Sequence, residues 1–229
     1  MRLGFIRILV ILVGVLMIFA CQTETKTDVD VQVETKVEVV KETPSVCVWN
    51  KGSVRDMPSR NAKWLSGMAL GEKVVWTGET VVDSSDQNRT YHKVRLSDGT
   101  EGWASEYVLA LDAIPGIVIK NAQIFRRPEL ITLTSDIYEP MSFVAILDSK
   151  DDWIQVKGEE NKLKGWIKFS AVSTKDEDIT AGLLAYKALK EKDPEKKVQN
   201  IQALLDNPLL SNSIFMPKLQ DSLNHIEKQ

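Results

Sequence analysis

Histidine and cysteine are nearly missing from this sequence, with two of each among 229 residues. That scarcity removes most side-chain chemistry at once. His92 falls on a predicted strand beside Lys93 and His225 near the C-terminus, and neither has a nucleophile set beside it in a catalytic arrangement. No Cys/His cluster has zinc spacing, and no glycine-rich loop opens a helix to cradle phosphate. An excess of basic charge is missing too, since 29 Lys and Arg stand against 32 Asp and Glu, for a formal charge of −3. Nucleic-acid affinity is drawn from phosphate neutralisation by clustered cations, so nucleic acid is not expected as a partner. Neither a catalytic role nor a metal or other cofactor is expected.

One long apolar run is present. Ile8 to Ala20 carries no charge, follows Arg2 and Arg7, and ends at Cys21. A spanning helix needs about 20 apolar residues, so this shorter run reads as a secretory signal peptide over residues 1–20. Ile18, Phe19, Ala20 and Cys21 resemble the lipobox of bacterial lipoproteins, although Phe19 is bulkier than the usual occupant. The resemblance implies cleavage before Cys21, acylation of its thiol and a cell-envelope location, with the membrane as a partner through the lipid anchor. Two acyl chains, at about 0.8 kcal/mol per buried CH₂, suffice for stable anchoring. Gln22 stands where many inner-membrane lipoproteins of diderm bacteria have Asp, which favours the outer membrane if the source has one. Losing the signal removes Arg2 and Arg7 but no acidic residue, taking the formal charge to −5. Cys47 is then the sole thiol, and no intramolecular disulfide is expected. It lies in the apolar run Val46 to Trp49, where a thiol acts as a small buried hydrophobe.

Residues 21–44 contain no aromatic, Leu or Ile and read as a flexible tether. From residue 45 to 111, short β-branched and aromatic runs alternate with Gly, Asp, Asn and Ser. Strands are expected at Val46 to Trp49, Lys73 to Gly78, Tyr91 to Leu96 and Gly102 to Ala104, with Ser97, Asp98 and Gly99 turning between the last two. Residues 115–173 repeat the layout. Arg55 to Pro58 answers to Arg126, Arg127 and Pro128; Tyr91 to Val94 answers to Trp153 to Val156; Gly102 and Trp103 answer to Gly165 and Trp166. Only Asp112 to Gly116 separate the copies, too few residues for independent swinging, so the two are expected to touch.

At these residues the chain resembles the bacterial SH3 domain family, whose repeats carry an early Arg and Pro, an aromatic-x-x-Val strand, then Asp-Gly and Gly-Trp. The resemblance implies two tandem SH3-like small β-barrels. In the second copy Glu159 to Lys164 replaces the Asp-Gly turn, and Ala171 is aligned with Tyr107. In SH3 domains that read proline-rich peptides, aromatics of the closing strand and 3₁₀ turn line the groove, which points to Trp103 and Tyr107, with Tyr91 beside them, as ligand-binding candidates. Barrel packing is the competing explanation for Trp103 and the stronger one for Trp166, around which Lys162, Lys164 and Lys168 cluster in sequence.

Residues 174–229 turn helical. Thr174 with Glu177 is expected to form a capping box, Asp193 and Pro194 to restart the chain as N-cap and N1, and a last helix to begin near Pro217. The expected fold is therefore mainly β with α, two tandem barrels followed by a short helical segment that packs on itself or on the second barrel. The function implied is that of a non-catalytic binding module for peptidoglycan or an envelope protein. A structural scaffold of an envelope complex is the alternative.

Overall fold

The computed structural model describes residues 42–226, all of which belong to one compact unit, Val39–Gln229. The signal peptide, Cys21 and nearly all of the tether lie outside the described residues. The fold is mainly β, with two seven-stranded antiparallel sheets followed by three helices. The first sheet contains β1 (Thr43–Cys47), β2 (Gly52–Arg55), β3 (Trp64–Met68), β4 (Lys73–Asp83), β5 (Arg89–Arg95), β6 (Glu101–Ser105) and β7 (Leu109–Leu111). The second contains β8 (Ile114–Val118), β9 (Ala122–Phe125), β10 (Leu133–Tyr138), β11 (Phe143–Lys150), β12 (Trp153–Gly158), β13 (Lys164–Lys168) and β14 (Val172–Ser173). Their strand orders are the same: β3-β2-β6-β5-β4-β1-β7 and β10-β9-β13-β12-β11-β8-β14.

The Gly-Trp pair of each copy has a steric cause. A Cβ on Gly102 would lie 2.6 Å from the Arg55 carbonyl oxygen, and one on Gly165 would lie 2.5 Å from Ile124 Cγ2. Only glycine lets β6 cross β2, and β13 cross β9, at that distance. The following Trp then takes the same place twice. Trp103 is in register with Arg55 and Lys93, and Trp166 with Phe125 and Gln155.

Three local expectations are corrected. β1 begins at Thr43, two residues inside the expected tether, because Thr43 and Pro44 pair with Trp76 and Val75 of β4. The 3₁₀ turns Glu106–Val108 and Phe169–Ala171 follow the paired Trp103 and Trp166 at the same interval, so Ser170, not Ala171, stands where Tyr107 does. Ala171 answers to Val108 and is buried. The expected capping box is replaced by another device. The helix α1 (Asp176–Leu189) starts after Lys175, which gives no side-chain cap, and the buried Asp178 carboxylate in its first turn accepts from Ser173 Oγ (2.6 Å), Ser213 Oγ (2.9 Å) and the Ile214 N–H (2.9 Å). Burial pushes the Asp178 pKa up, and these hydrogen bonds outweigh it, leaving the carboxyl below its usual value.

Consecutive apolar residues in β1, β8 and β11 face different cores. Cys47 enters the first sheet's core and Val46 a cluster shared with the second sheet. On β11, Val144 and Ile146 fill the second sheet's core, while Phe143 and Ala145 join Val46, Val48, Ala110 and Ala113 in the shared cluster. On β8, Val118 turns to the second core and Ile117 to the helices, where it meets Ile179, Ala181, Phe215 and Leu219. The helix α2 (Pro194–Leu205) is capped by Asp193, whose side chain accepts from the N–H groups of Glu195 and Lys196, with Pro194 at its start. The helix α3 (Met216–Ile226) closes the cluster with Leu219 and Leu223.

Asp178 thus ties β14, α1 and the segment entering α3 together. Asp178→Ala is expected to lower the unfolding free energy of the full chain by about 2 to 3 kcal/mol, because it leaves buried donors unpaired. Asp176→Ala removes only an exposed pair with Lys73 (2.6 Å) and is expected to cost less than about 1 kcal/mol. Urea titration of both variants checks the contrast.

Candidate functional site

Strand alternation puts Tyr91, Trp103 and Ser105 on one face of the first sheet. Tyr91 is paired with Ser105 across β5 and β6, while Val94 and Ala104 point into the core. Tyr91 is buried there, and burial raises its phenol pKa. Tyr107, 56% exposed, leans against Trp49 with ring centroids 5.0 Å apart. Trp103 is half-buried beside Arg55 and lines neither of the two depressions described next.

Those depressions adjoin through Arg89 and Ser105. One, of about 230 Å³, has Trp49 and Tyr91 among its walls and four cations around it: Lys51, Arg55, Arg60 and Arg89. The other, of about 460 Å³, includes Tyr107, Glu106, Asp86, Lys157 and Asn161. The sequence trio is therefore divided, with Tyr91 in the first hollow, Tyr107 in the second and Trp103 outside both.

The second hollow needs both sheets. In the second copy the chain makes a 3₁₀ turn at Glu159–Asn161, with Glu160 and Asn161 at φ of 55° and 57°. That left-handed backbone is tolerated by Asn better than by Glu, and here it is held by a Glu160 N–H bond to the Val48 carbonyl (2.8 Å). Asn161 Nδ2 donates to the Tyr107 carbonyl (2.8 Å), and Lys157 Nζ to that of Leu109 (3.1 Å). Asn161 Oδ1 is buried and accepts no hydrogen bond among the described residues. Burial lowers the Lys157 pKa, with Lys164 adding to it and Glu106 opposing it. The first copy has instead a tight turn in which the Thr100 N–H bonds Asp98 Oδ1 (2.8 Å) and Gly99 takes φ of 85°.

Two of the four cations of the first hollow are engaged by protein groups. Arg55 donates to the Ala62 carbonyl (2.6 Å), and Arg89 pairs with Asp86 (2.8 Å). Lys51 and Arg60 form no ion pair among the described residues. In the second copy the same surface is closed by packing. Phe125 stands at Arg55's position and meets Trp153 edge-on at 4.9 Å, and Lys168 lies over the Trp153 ring at 3.6 Å while pairing with Asp152. Lys168, grouped with Trp166 by sequence, covers Trp153 instead.

Sequence reasoning marked Arg55 only as a repeat landmark and missed Lys51, Arg60, Arg89, Lys157 and Asn161. They come from separate turns, and no local spacing joins them. Cys47 is buried and donates to the Trp49 carbonyl (3.1 Å); burial pushes its thiol pKa up to about 11, far from that of a reactive thiolate. Among the described residues no group of three His, Cys, Asp or Glu side chains is placed to hold a metal ion, and no helix is long and apolar enough to cross a membrane.

No protein-family model and no curated protein matches the chain. Among solved structures it is similar to NlpC2 from Trichomonas vaginalis, at 16% identity over 72% of this chain and 57% of that one, with a TM-score of 0.26. It is also similar to NlpC1 from the same organism, at 19% identity over 64% of this chain and 53% of that one, again with a TM-score of 0.26. The chain spans little more than half the length of either, and neither fold nor activity follows from likeness at this level.

His92 supplies a pH test of the scaffold under this face. It is buried, its Nδ1 lies 2.9 Å from Thr80 Oγ1, its Nε2 has no hydrogen-bond partner, and Trp76 meets its ring edge-on. Burial lowers its pKa, with Glu106 opposing. The folded protein thus holds it neutral, whereas the unfolded chain takes up a proton below about pH 6.5. Its stabilising contribution is present above that value and lost as pH falls through the lower folded-state value. The thermal midpoint should therefore drop as pH falls below about 6.5, and His92→Gln should flatten that slope. An equal slope in both proteins would contradict the assignment.

Proposed function

We propose that this chain is a membrane-anchored exported lipoprotein whose two sheets are tandem SH3-like barrels, and that the first barrel binds a cell-envelope ligand without catalysing a reaction on it. The observation that carries the reading is the pair of adjoining hollows at Tyr91 and Tyr107, where aromatic rings of the first copy meet Lys51, Arg55 and Arg60, which form no ion pair among the described residues. Support for the barrels comes from the shared strand order, the repeated Gly-Trp crossing and the 3₁₀ turn that follows each crossing. The anchor rests on the lipobox at Cys21. An outer-membrane address, if the source has two membranes, rests on Gln22. Peptidoglycan is the preferred ligand, since an aromatic and cationic cleft suits a polymer of sugars and carboxylate-bearing peptides.

A second reading, docking to an envelope protein as part of a scaffold, is favoured by a different feature. Leu130, Ile131 and Leu133 project from the second sheet at 71%, 90% and 56% exposure, an apolar tip that packing of the described residues does not use.

Retention of the purified protein on sacculi tests the first reading. Tyr107→Ala should weaken it by about 2 kcal/mol, roughly thirtyfold, with circular dichroism unchanged. Trp103→Ala should weaken it less, because that ring lies outside the hollows. No retention of the parent protein at low salt, together with crosslinking from Ile131 to one dominant envelope protein, would replace peptidoglycan with a protein partner.

A further inference from the structure

The two hollows differ in chemistry. The smaller is ringed by Lys51, Arg55, Arg60 and Arg89, with aromatic walls at Trp49 and Tyr91 and no carboxylate among its lining residues. Such a concentration of positive charge is unusual for a chain with 32 acidic residues and a formal charge of −3. Three of the four guanidinium and ammonium groups, those of Lys51, Arg55 and Arg60, have no ion-pair partner among the described residues, and Lys51 and Arg60 stand on turns at either end of β2. Next to this basic end, across Arg89 and Ser105, the larger hollow is lined by Asn161, whose Oδ1 is an acceptor without a donor. Its amide is fixed by the bond from Nδ2 to the Tyr107 carbonyl, so the oxygen is the atom left over.

We infer that the face reads the free carboxylate end of a short peptide. The carboxylate sits among Lys51, Arg55 and Arg60, the chain runs past Arg89 and Ser105, and a backbone N–H of the peptide donates to Asn161 Oδ1. Planar guanidinium groups accept a carboxylate in paired, charge-assisted bonds, which gives orientation as well as affinity. A hollow of about 230 Å³ admits a terminal residue and little more. A phosphodiester polymer satisfies the cations but offers no donor to Asn161, whereas inorganic phosphate can offer an O–H, so a phosphate probe is what separates the peptide from a simple anion. The second copy has no counterpart, since Phe125 fills the place of Arg55 and the Trp153 ring is covered by Lys168. This inference rests on the binding role proposed above and adds the chemical class of what is bound.

The test uses the purified full chain and three probes in calorimetric titrations: Nα-acetyl-trialanine as the free acid, the same peptide as its C-terminal amide, and inorganic phosphate. The free acid is expected to bind about tenfold or more tightly than the amide, and more weakly as salt is raised. Lys51→Gln with Arg60→Gln, two exposed side chains whose loss leaves the fold intact by circular dichroism, should abolish the preference for the acid. Asn161→Asp, which adds a repelling charge, should weaken the acid; because it also removes the Nδ2 donor to the Tyr107 carbonyl, its binding is read at a temperature where circular dichroism shows it folded. Equal binding of acid and amide, phosphate binding as tight as that of the acid, or no binding of the acid at millimolar concentration would each overturn the inference. Sacculus retention is read separately. Retention without recognition of the acid removes this inference and leaves the binding role, whereas recognition of the acid without retention does the reverse.

Discussion

The joint between the two sheets is the contact on which the site depends. Val46, Val48 and Ala110 from one sheet interlock with Phe143 and Ala145 from the other, and Ala113 of the connector completes the cluster. Above it, the Glu160 N–H bonds the Val48 carbonyl, while Asn161 and Lys157 bond the carbonyls of Tyr107 and Leu109. A domain of about 60 residues buries only about 60% of its unfolded surface, so neither sheet is well placed to stand alone. Joining them relieves that shortage. The same contact carries Asn161 and Lys157 into a hollow whose other wall is Tyr107 and Arg89.

The two sheets share a strand order but differ at the positions that build these hollows. At three matched positions the first copy has Arg55, Tyr91 and Tyr107, and the second has Phe125, Trp153 and Ser170. The first set leaves the Arg55 guanidinium and the Tyr107 ring on the open face of the sheet, with Tyr91 buried beneath them. The second sets Phe125 edge-on against Trp153 under Lys168 and so converts the same surface into packing. Its helices take no part in this, since they cover Ile117 and Met141 on another side of the sheet. One copy presents groups and the other supports it.

Much of the β architecture was legible because its signals are local. The run from Lys73 to Gly78 lies within β4, the run from Tyr91 to Leu96 falls in β5 but for its last residue, and Asp98 with Gly99 forms the turn expected between β5 and β6. Asp193 and Pro194 start α2 for the stated reason. The capping box at Thr174 did not form: α1 has no side-chain cap, and Asp178 in its first turn accepts from Ser213 and Ile214, partners that are distant in the sequence. The extra residues Glu159 to Lys164 read as a lapse from the repeat pattern, yet they make the joint. Of the site, the aromatics Tyr91 and Tyr107 could be read from strand and turn position. Lys51, Arg60 and Arg89 could not, since they meet only after β2, β5 and their turns are brought together across the sheet.

If the joint makes the two sheets one cooperative body, their innermost amides must open together. Native-state hydrogen exchange on the full chain measures this directly, at Val94 in the first sheet, Val156 in the second and Glu160 at the joint. The account predicts one common opening free energy for Val94 and Val156, with Glu160 within about 1 kcal/mol of it. Separate plateaus for the two sheets, with Glu160 exchanging several kcal/mol more easily than either, would show a joint that merely touches and would contradict a site built across it.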